Sequence, residues 1–92
     1  MNNLKIPPQS DDAERSVLGG LLLVKDAWDK VADLISEEDF YRNDHTLIFK
    51  AIKDLSENSK PCDIITVGEW LDTHQLIEDA GGEDYLIEIA SN

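Results

Sequence analysis

Asp44-His45-Thr46-Leu47-Ile48-Phe49-Lys50-Ala51-Ile52-Lys53-Asp54-Leu55-Ser56-Glu57 is the run that decides the fold. Ile48, Ile52 and Leu55, flanked by Leu47 and Phe49, recur with a period near 3.6 residues, the spacing that lines one face of a helix. The pattern predicts the longest helix of the chain, with Asp44 as its N-cap and Glu57 at its end. Asn58-Ser59-Lys60-Pro61 then stops it, because proline lacks the amide proton that a continuing helix needs.

Downstream, Asp63 precedes Ile64, Val67, Trp70 and Leu71 and reads as the cap of a further helix. Cys62 to Val67 is also rich in β-branched residues and admits a short strand, but no second alternating run exists to pair with it. Ile77-Glu78-Asp79-Ala80-Gly81-Gly82 reads as a turn. Glu83 to Ala90 reads as the final helix, with Leu86, Ile89 and Ala90 inward.

Upstream of the decisive run, Ser36-Glu37-Glu38-Asp39-Phe40-Tyr41 predicts one capped turn whose aromatics fold inward. A helix capped by Asp26 is expected to carry Ala27, Trp28, Val31, Leu34 and Ile35 on one face. The first helix is expected to start at Ser10-Asp11-Asp12, with Asp11 and Glu14 in the spacing of a capping box. Ala13, Val17 and Leu21, widened by Leu18 and Leu22, form its buried stripe. Gly19 and Gly20 interrupt that stripe and imply either close approach of a neighbouring helix or an early end. Residues 1–10 contain Pro7-Pro8 and read as an extended lead-in. The expectation is an all-α fold, a compact bundle of about five to six short helices filling residues 11–92.

Composition bounds the function. Ninety-two residues with 41% hydrophobic and 30% charged residues make one small globular domain. Twenty acids against eight Lys and Arg give a net charge of −12. Nucleic-acid binding draws on cationic side chains, so direct DNA or RNA binding is disfavoured, whereas a basic protein partner or plain solubility both fit. The longest apolar run, Val17 to Val24, is far too short to span a membrane. One cysteine, Cys62, precludes an internal disulfide, and no secretory signal is visible, so a cytoplasmic protein is expected.

No Gly-x-x-x-x-Gly-Lys-Ser/Thr loop is present to cradle phosphates, so ATP hydrolysis of that kind is excluded for these residues. His45 and His74 are widely separated and form no zinc framework. His45 is read as packed or locally bonded, and His74 as complementing a helix C-terminus. Asp63 beside Cys62 disfavours the thiolate, which makes Cys62 a structural thiol. The pairs Asp11-Asp12, Glu37-Glu38-Asp39, Glu78-Asp79 and Glu83-Asp84 fall at helix starts and turns, where capping and the helix dipole account for them. Trp28, Phe40, Tyr41, Phe49, Trp70 and Tyr85 lack the basic groove of a base-stacking platform and are assigned to packing. No catalytic, cofactor-binding or metal-binding residue is assigned, and partner-binding residues are not identified.

Five blocks occur in one order: Ile6-Pro7-Pro8-Gln9-Ser10 with Ala13-Glu14-x-Ser16-Val17-Leu18-Gly19-Gly20, then Asp39-Phe40-Tyr41, His45-x-x-Ile48-Phe49, Pro61-x-Asp63-x-Ile65-Thr66-Val67 with Leu71, and Gly81-Gly82-x-x-Tyr85-Leu86. This pattern closely resembles the N-terminal domain of bacterial DnaB-type replicative DNA helicases. The resemblance implies a helical head in the N-terminal collar of a ring-shaped hexamer. In that family the head is followed by a subunit-pairing helical hairpin, a linker helix and a RecA-like ATPase that unwinds DNA 5′ to 3′ with ATP and Mg. It also implies protein partners, namely DnaG-type primase, helicase loaders and other helicase subunits.

The sequence stops at Asn92, before those later regions, so the head alone is expected to be non-catalytic, to need no cofactor and to be a monomer or weak dimer. On the physical reading the matching residues are mostly structural: Ile6 anchors the lead-in, Glu14 caps, Gly19 and Gly20 permit close approach, Phe40 and Phe49 fill the core, and Asp63 caps with Thr66 near it. The alternative is a stand-alone acidic helical adaptor or inhibitor that binds a replication protein.

Overall fold

The computed structural model describes residues 10–91, so the lead-in at 1–9, including Ile6, lies outside the described residues. The elements are α1 (Asp11–Leu23), α2 (Ala27–Val31), a single 3₁₀ turn (Glu37–Asp39), α3 (Asn43–Glu57), α4 (Ile64–Thr73) and α5 (Gly82–Ala90). The fold is all-α, with no strand among the described residues, and the strand reading of 62–67 gives way to the start of α4. No helix among the described residues is long and apolar enough to cross a membrane.

The decisive run forms α3 and supplies the core. His45, Leu47, Ile48, Phe49, Ala51, Ile52 and Leu55 are all buried along it. α3 packs on α1 and α4, and α5 closes the bundle across those same two helices. Phe49 is fully buried, with the rings of Phe40 and Trp28 at centroid distances of 4.9 and 5.7 Å. Such tilted aromatic pairs add to the burial of apolar area.

Local caps fix several helix ends. Asp63 and Thr66 form a reciprocal box, Thr66 N donating to Asp63 Oδ1 at 2.9 Å and Asp63 N to Thr66 Oγ1 at 2.8 Å. Ser36 and Asp39 do the same around the 3₁₀ turn. α3 ends with Ser59 at φ 57° and Lys60 N donating to Leu55 O at 2.9 Å, a left-handed closure that returns the chain toward α4.

Five expectations need correction. α1 is capped by Ser10, whose Oγ accepts from Ala13 N at 3.1 Å, and not by an Asp11–Glu14 box. Glu14 turns inward and is buried. Asp26 adopts φ 68° and makes no side-chain cap; α2 stops at Val31, short of Ile35. The N-cap position of α3 is Arg42, so Asp44 lies inside the first turn. Phe40 folds inward as expected, whereas Tyr41 is 95% exposed, because its backbone amide and not its ring is what faces α1. The two glycines of α1 also part ways. The helix runs through both, yet only Gly19 lies against α5: a Cβ there would sit 2.8 Å from Ile89 O, while one at Gly20 would meet nothing within 4 Å.

Candidate functional site

Three helices each send one polar side chain to the same place. Glu14 comes from α1, His45 from the first turn of α3 and Tyr85 from α5. Glu14 Oε1 accepts from His45 Nδ1 at 2.6 Å, and His45 Nε2 meets the Tyr85 hydroxyl at 2.6 Å. A carboxylate oxygen accepts, so Nδ1–H donates, and Nε2 of a neutral ring is left to accept from Tyr85 O–H. The other Glu14 oxygen, Oε2, accepts from Tyr41 N at 2.6 Å, and Arg42 N lies 3.4 Å from Oε1. Glu14 therefore accepts from the amides of the two residues that lead into α3, Tyr41 and Arg42, the latter at its N-cap position.

The surroundings fix each member. Gly81, at φ 103°, opens the turn before α5, and a side chain there would come within 3 Å of the Tyr85 ring. The glycine leaves room for the Tyr85 ring, which meets His45 edge to edge through that hydrogen bond, with ring planes 4° apart and centroids 5.8 Å apart. Arg42 lies over the other side of this cluster, its guanidinium 5.5 Å from the Tyr85 ring centroid. It is held by Asp44 through two hydrogen bonds, at 3.1 and 2.6 Å, and by Asp11 at 3.3 Å. The hydrogen bond to Asp44 raises the Arg42 pKa further above its ordinary value, and burial raises that of the Tyr85 phenol. Asp44 also accepts from His45 N at 2.7 Å.

A carboxylate, an imidazole and a hydroxyl in line have the order of a nucleophilic relay. The chemistry does not follow here. His45 is fully buried and Glu14 nearly so, and burial raises the Tyr85 pKa, which disfavours the phenolate that a nucleophile would need. What the chain of hydrogen bonds does is join α1, α3 and α5 through one fully satisfied buried polar network. His45 is packed, as expected, but its ring bonds reach Glu14 and Tyr85, 31 and 40 residues away, and are not local.

The remaining candidates are also engaged locally. Cys62 is half-buried; burial raises its thiol pKa and the charge of Asp63 adds to that, as the sequence implied. His74 is the C-cap residue of α4, where its Nδ1–H donates to Trp70 O at 2.7 Å, and its ring stacks on Trp70 at 3.8 Å. Trp70 is only half-buried and ties α4 to α3 through its indole N–H, which donates to Asp54 Oδ2 at 2.7 Å. Asp11 and Asp12 pair with Arg42 and Arg15. Among the described residues no group of three His, Cys, Asp or Glu side chains is placed to hold a metal ion.

Sequence reasoning missed the Glu14–His45–Tyr85 network. The available signal was Glu14 standing four residues before Leu18 on the face that carries Leu18, Leu21 and Leu22. An acid there is as well explained by the helix dipole, which hid it.

The profile of the DnaB-like helicase N terminal domain matches residues 6–92. The chain is 41% identical over 92 residues to the replicative DNA helicase DnaB of Buchnera aphidicola subsp. Schizaphis graminum, covering all of this chain and 20% of that protein. It is 41% identical over 87 residues to DnaB of Pasteurella multocida, covering 95% of this chain and 19% of that one. It is 36% identical over 90 residues to the replicative DNA helicase DnaC of Bacillus subtilis, covering 98% and 20% respectively. The chain thus spans about a fifth of the length of the curated relatives it matches. The crystal structure of the N-terminal domain of DnaB helicase from Mycobacterium tuberculosis is 43% identical and superposes with a TM-score of 0.86, over 94% of this chain and 60% of that one.

Proposed function

The chain belongs to the DnaB-like helicase N-terminal domain family, and from that premise we propose that it is the non-catalytic interaction and scaffold head of a hexameric replicative helicase. Residues 1–10 form its lead-in and residues 11–92 a single head. The head contributes to the N-terminal collar of the ring and to contacts with a DnaG-type primase and with the helicase loader, in the cytoplasm. The observation that carries this reading is the family match across residues 6–92.

The physical reading agrees with it. The buried polar groups are spent on joining helices, which suits a rigid platform more than a reaction centre. The net charge of −12 suits protein partners and opposes direct contact with DNA. ATP and Mg belong to the ATPase region of a parent helicase; no phosphate loop occurs in these 92 residues, and no step of hydrolysis is routed through them.

Calorimetric titration with the helicase-binding domain of the same organism's primase, and separately with its loader, tests the reading. A saturable heat for either partner is the expected result. No heat with both, from a chain shown folded by circular dichroism, overturns the partner-binding role of the isolated head. Sedimentation of the same sample is expected to give a monomer or weak dimer, and a concentration-independent hexamer contradicts that.

A further inference from the structure

The groove between α4 and α5 is lined by Ile64, Ile65, Gly68 and Ile87, with Glu69, Asp72 and Glu83 among its walls, and has a volume of ≈ 340 Å³. Ile65 is 71% exposed and Ile87 50% exposed. One exposed aliphatic residue needs no explanation, but two on adjacent helices, facing one groove, form a small apolar patch. At Gly68 the groove reaches down to the buried core, since a Cβ there would lie 3.7 Å from Leu86 Cδ1. No ion pair to Glu69, Asp72 or Glu83 forms among the described residues.

The charge around this groove is one-sided. From Pro61 to Asn92 the sequence has eight Asp and Glu and no Lys or Arg, whereas the first 60 residues hold twelve acids and all eight bases. Two-thirds of the net charge of −12 therefore lies in the third of the chain that builds α4 and α5.

We propose that the α4–α5 groove docks a basic amphipathic helix of a partner protein. Aliphatic side chains of that helix enter between Ile65 and Ile87, and its Lys and Arg residues pair with Glu69, Asp72 and Glu83. An apolar centre with a charged rim is the form helix-in-groove recognition takes. Charge decides the occupant. A second copy of this chain would bring its own acidic rim against the first, and a nucleic acid would bring phosphates; both place like charges together. The proposal rests on the interaction-domain reading and gives it a surface and a partner chemistry.

The test uses the folded chain and a synthetic amphipathic peptide of roughly 16 residues built from Leu, Ala and Lys, with Leu at helical spacing, followed by amide chemical shifts. A second peptide carries Glu in place of Lys. The expected result is saturable binding of the Lys peptide, with shifts centred on Ile65, Gly68 and Ile87 and little response to the Glu peptide. Ile65→Asp and Ile87→Asp change exposed side chains, so melting should stay near that of the parent chain, while the peptide binds about tenfold more weakly or worse.

The added negative charge makes this informative, because attraction by charge alone would strengthen. Lys-peptide binding that survives or improves in both variants overturns the proposal, as does equal binding of the Glu peptide. Self-association of the parent chain that Ile87→Asp abolishes also overturns it, by giving the groove to a second copy. Titrating the primase domain in parallel separates the two readings: primase binding without groove-dependent peptide binding removes the groove and leaves the interaction reading standing.

Discussion

Replacing each glycine of α1 with alanine should give opposite results one residue apart. Inside a helix, Gly→Ala stabilises by up to about 1 kcal/mol, because alanine loses less backbone freedom on folding. A Cβ added at Gly20 would have nothing within 4 Å, so Gly20→Ala should realise that gain. At Gly19 the new methyl would stand 2.8 Å from Ile89 O, and ordinary contact begins at 3.4 Å, so α5 must retreat by roughly 0.6 Å.

The obstructing atom is backbone and cannot rotate away, and α5 is itself pinned by buried Leu86 and Ile89. Overpacking of this kind costs about 1–3 kcal/mol, and a rigid obstacle belongs in the upper part of that range. After the helical gain, Gly19→Ala should be destabilised by about 1–2 kcal/mol. The two variants then differ by about 2–3 kcal/mol, or roughly 10 °C or more in melting temperature for a domain of this size. Urea and thermal unfolding followed by circular dichroism measure both. Equal stabilisation by the two substitutions would refute the close α1–α5 approach.

Phe49→Ala should cost about 3–5 kcal/mol, since the ring is fully buried between Phe40 and Trp28, and an unchanged urea midpoint would remove it from the core. Glu14→Ala strands the buried Nδ1–H of His45, at about 1–3 kcal/mol, and removes the acceptor of the part-buried Tyr41 amide, whereas Tyr85→Phe strands only His45 Nε2. The double variant should be non-additive by about 0.5 kcal/mol or more, and strict additivity would mean the three groups do not act as one network. Alkaline pH should destabilise the fold. Cys62 and Tyr85 both have pKa values raised by burial above their ordinary 9.0 and 10.0, so the unfolded chain releases those protons first. Stability is whole below pH 9 and falls as pH rises through the unfolded and then the folded values. Melting curves from about pH 8 upward should show this fall reduced in the Cys62→Ala, Tyr85→Phe double variant, and an identical slope would refute the assignment.

How much of this was legible depends on the range of the interaction. α3 was legible because its buried positions repeat within the helix itself, from Leu47 to Leu55. The Asp63–Thr66 cap was legible because both partners lie within one turn. Position 26 was misread because Asp is both a common N-cap and one of the few residues that tolerates left-handed backbone, and only the fold selects between them. Tyr41 was misread because the direction of a side chain just after a 3₁₀ turn depends on α1, which uses the Tyr41 amide. Glu14, His45 and Tyr85 are separated by 31 and 40 residues, and no local pattern ties an acid in one helix to a phenol in another. The resemblance blocks contained all three residues but carried no statement of their contacts.

The central proposal is that this head organises and recruits while the chemistry of a parent helicase lies elsewhere. Deleting residues 11–92 from a full-length parent and measuring DNA-stimulated ATP hydrolysis per subunit, beside primase recruitment on the same preparation, tests it most directly. The account predicts ATP turnover within about twofold of the intact parent, about 0.4 kcal/mol in barrier height, together with a loss of primase recruitment. Primase recruitment left intact, with ATP turnover abolished in rings that sedimentation shows still assembled, would contradict it.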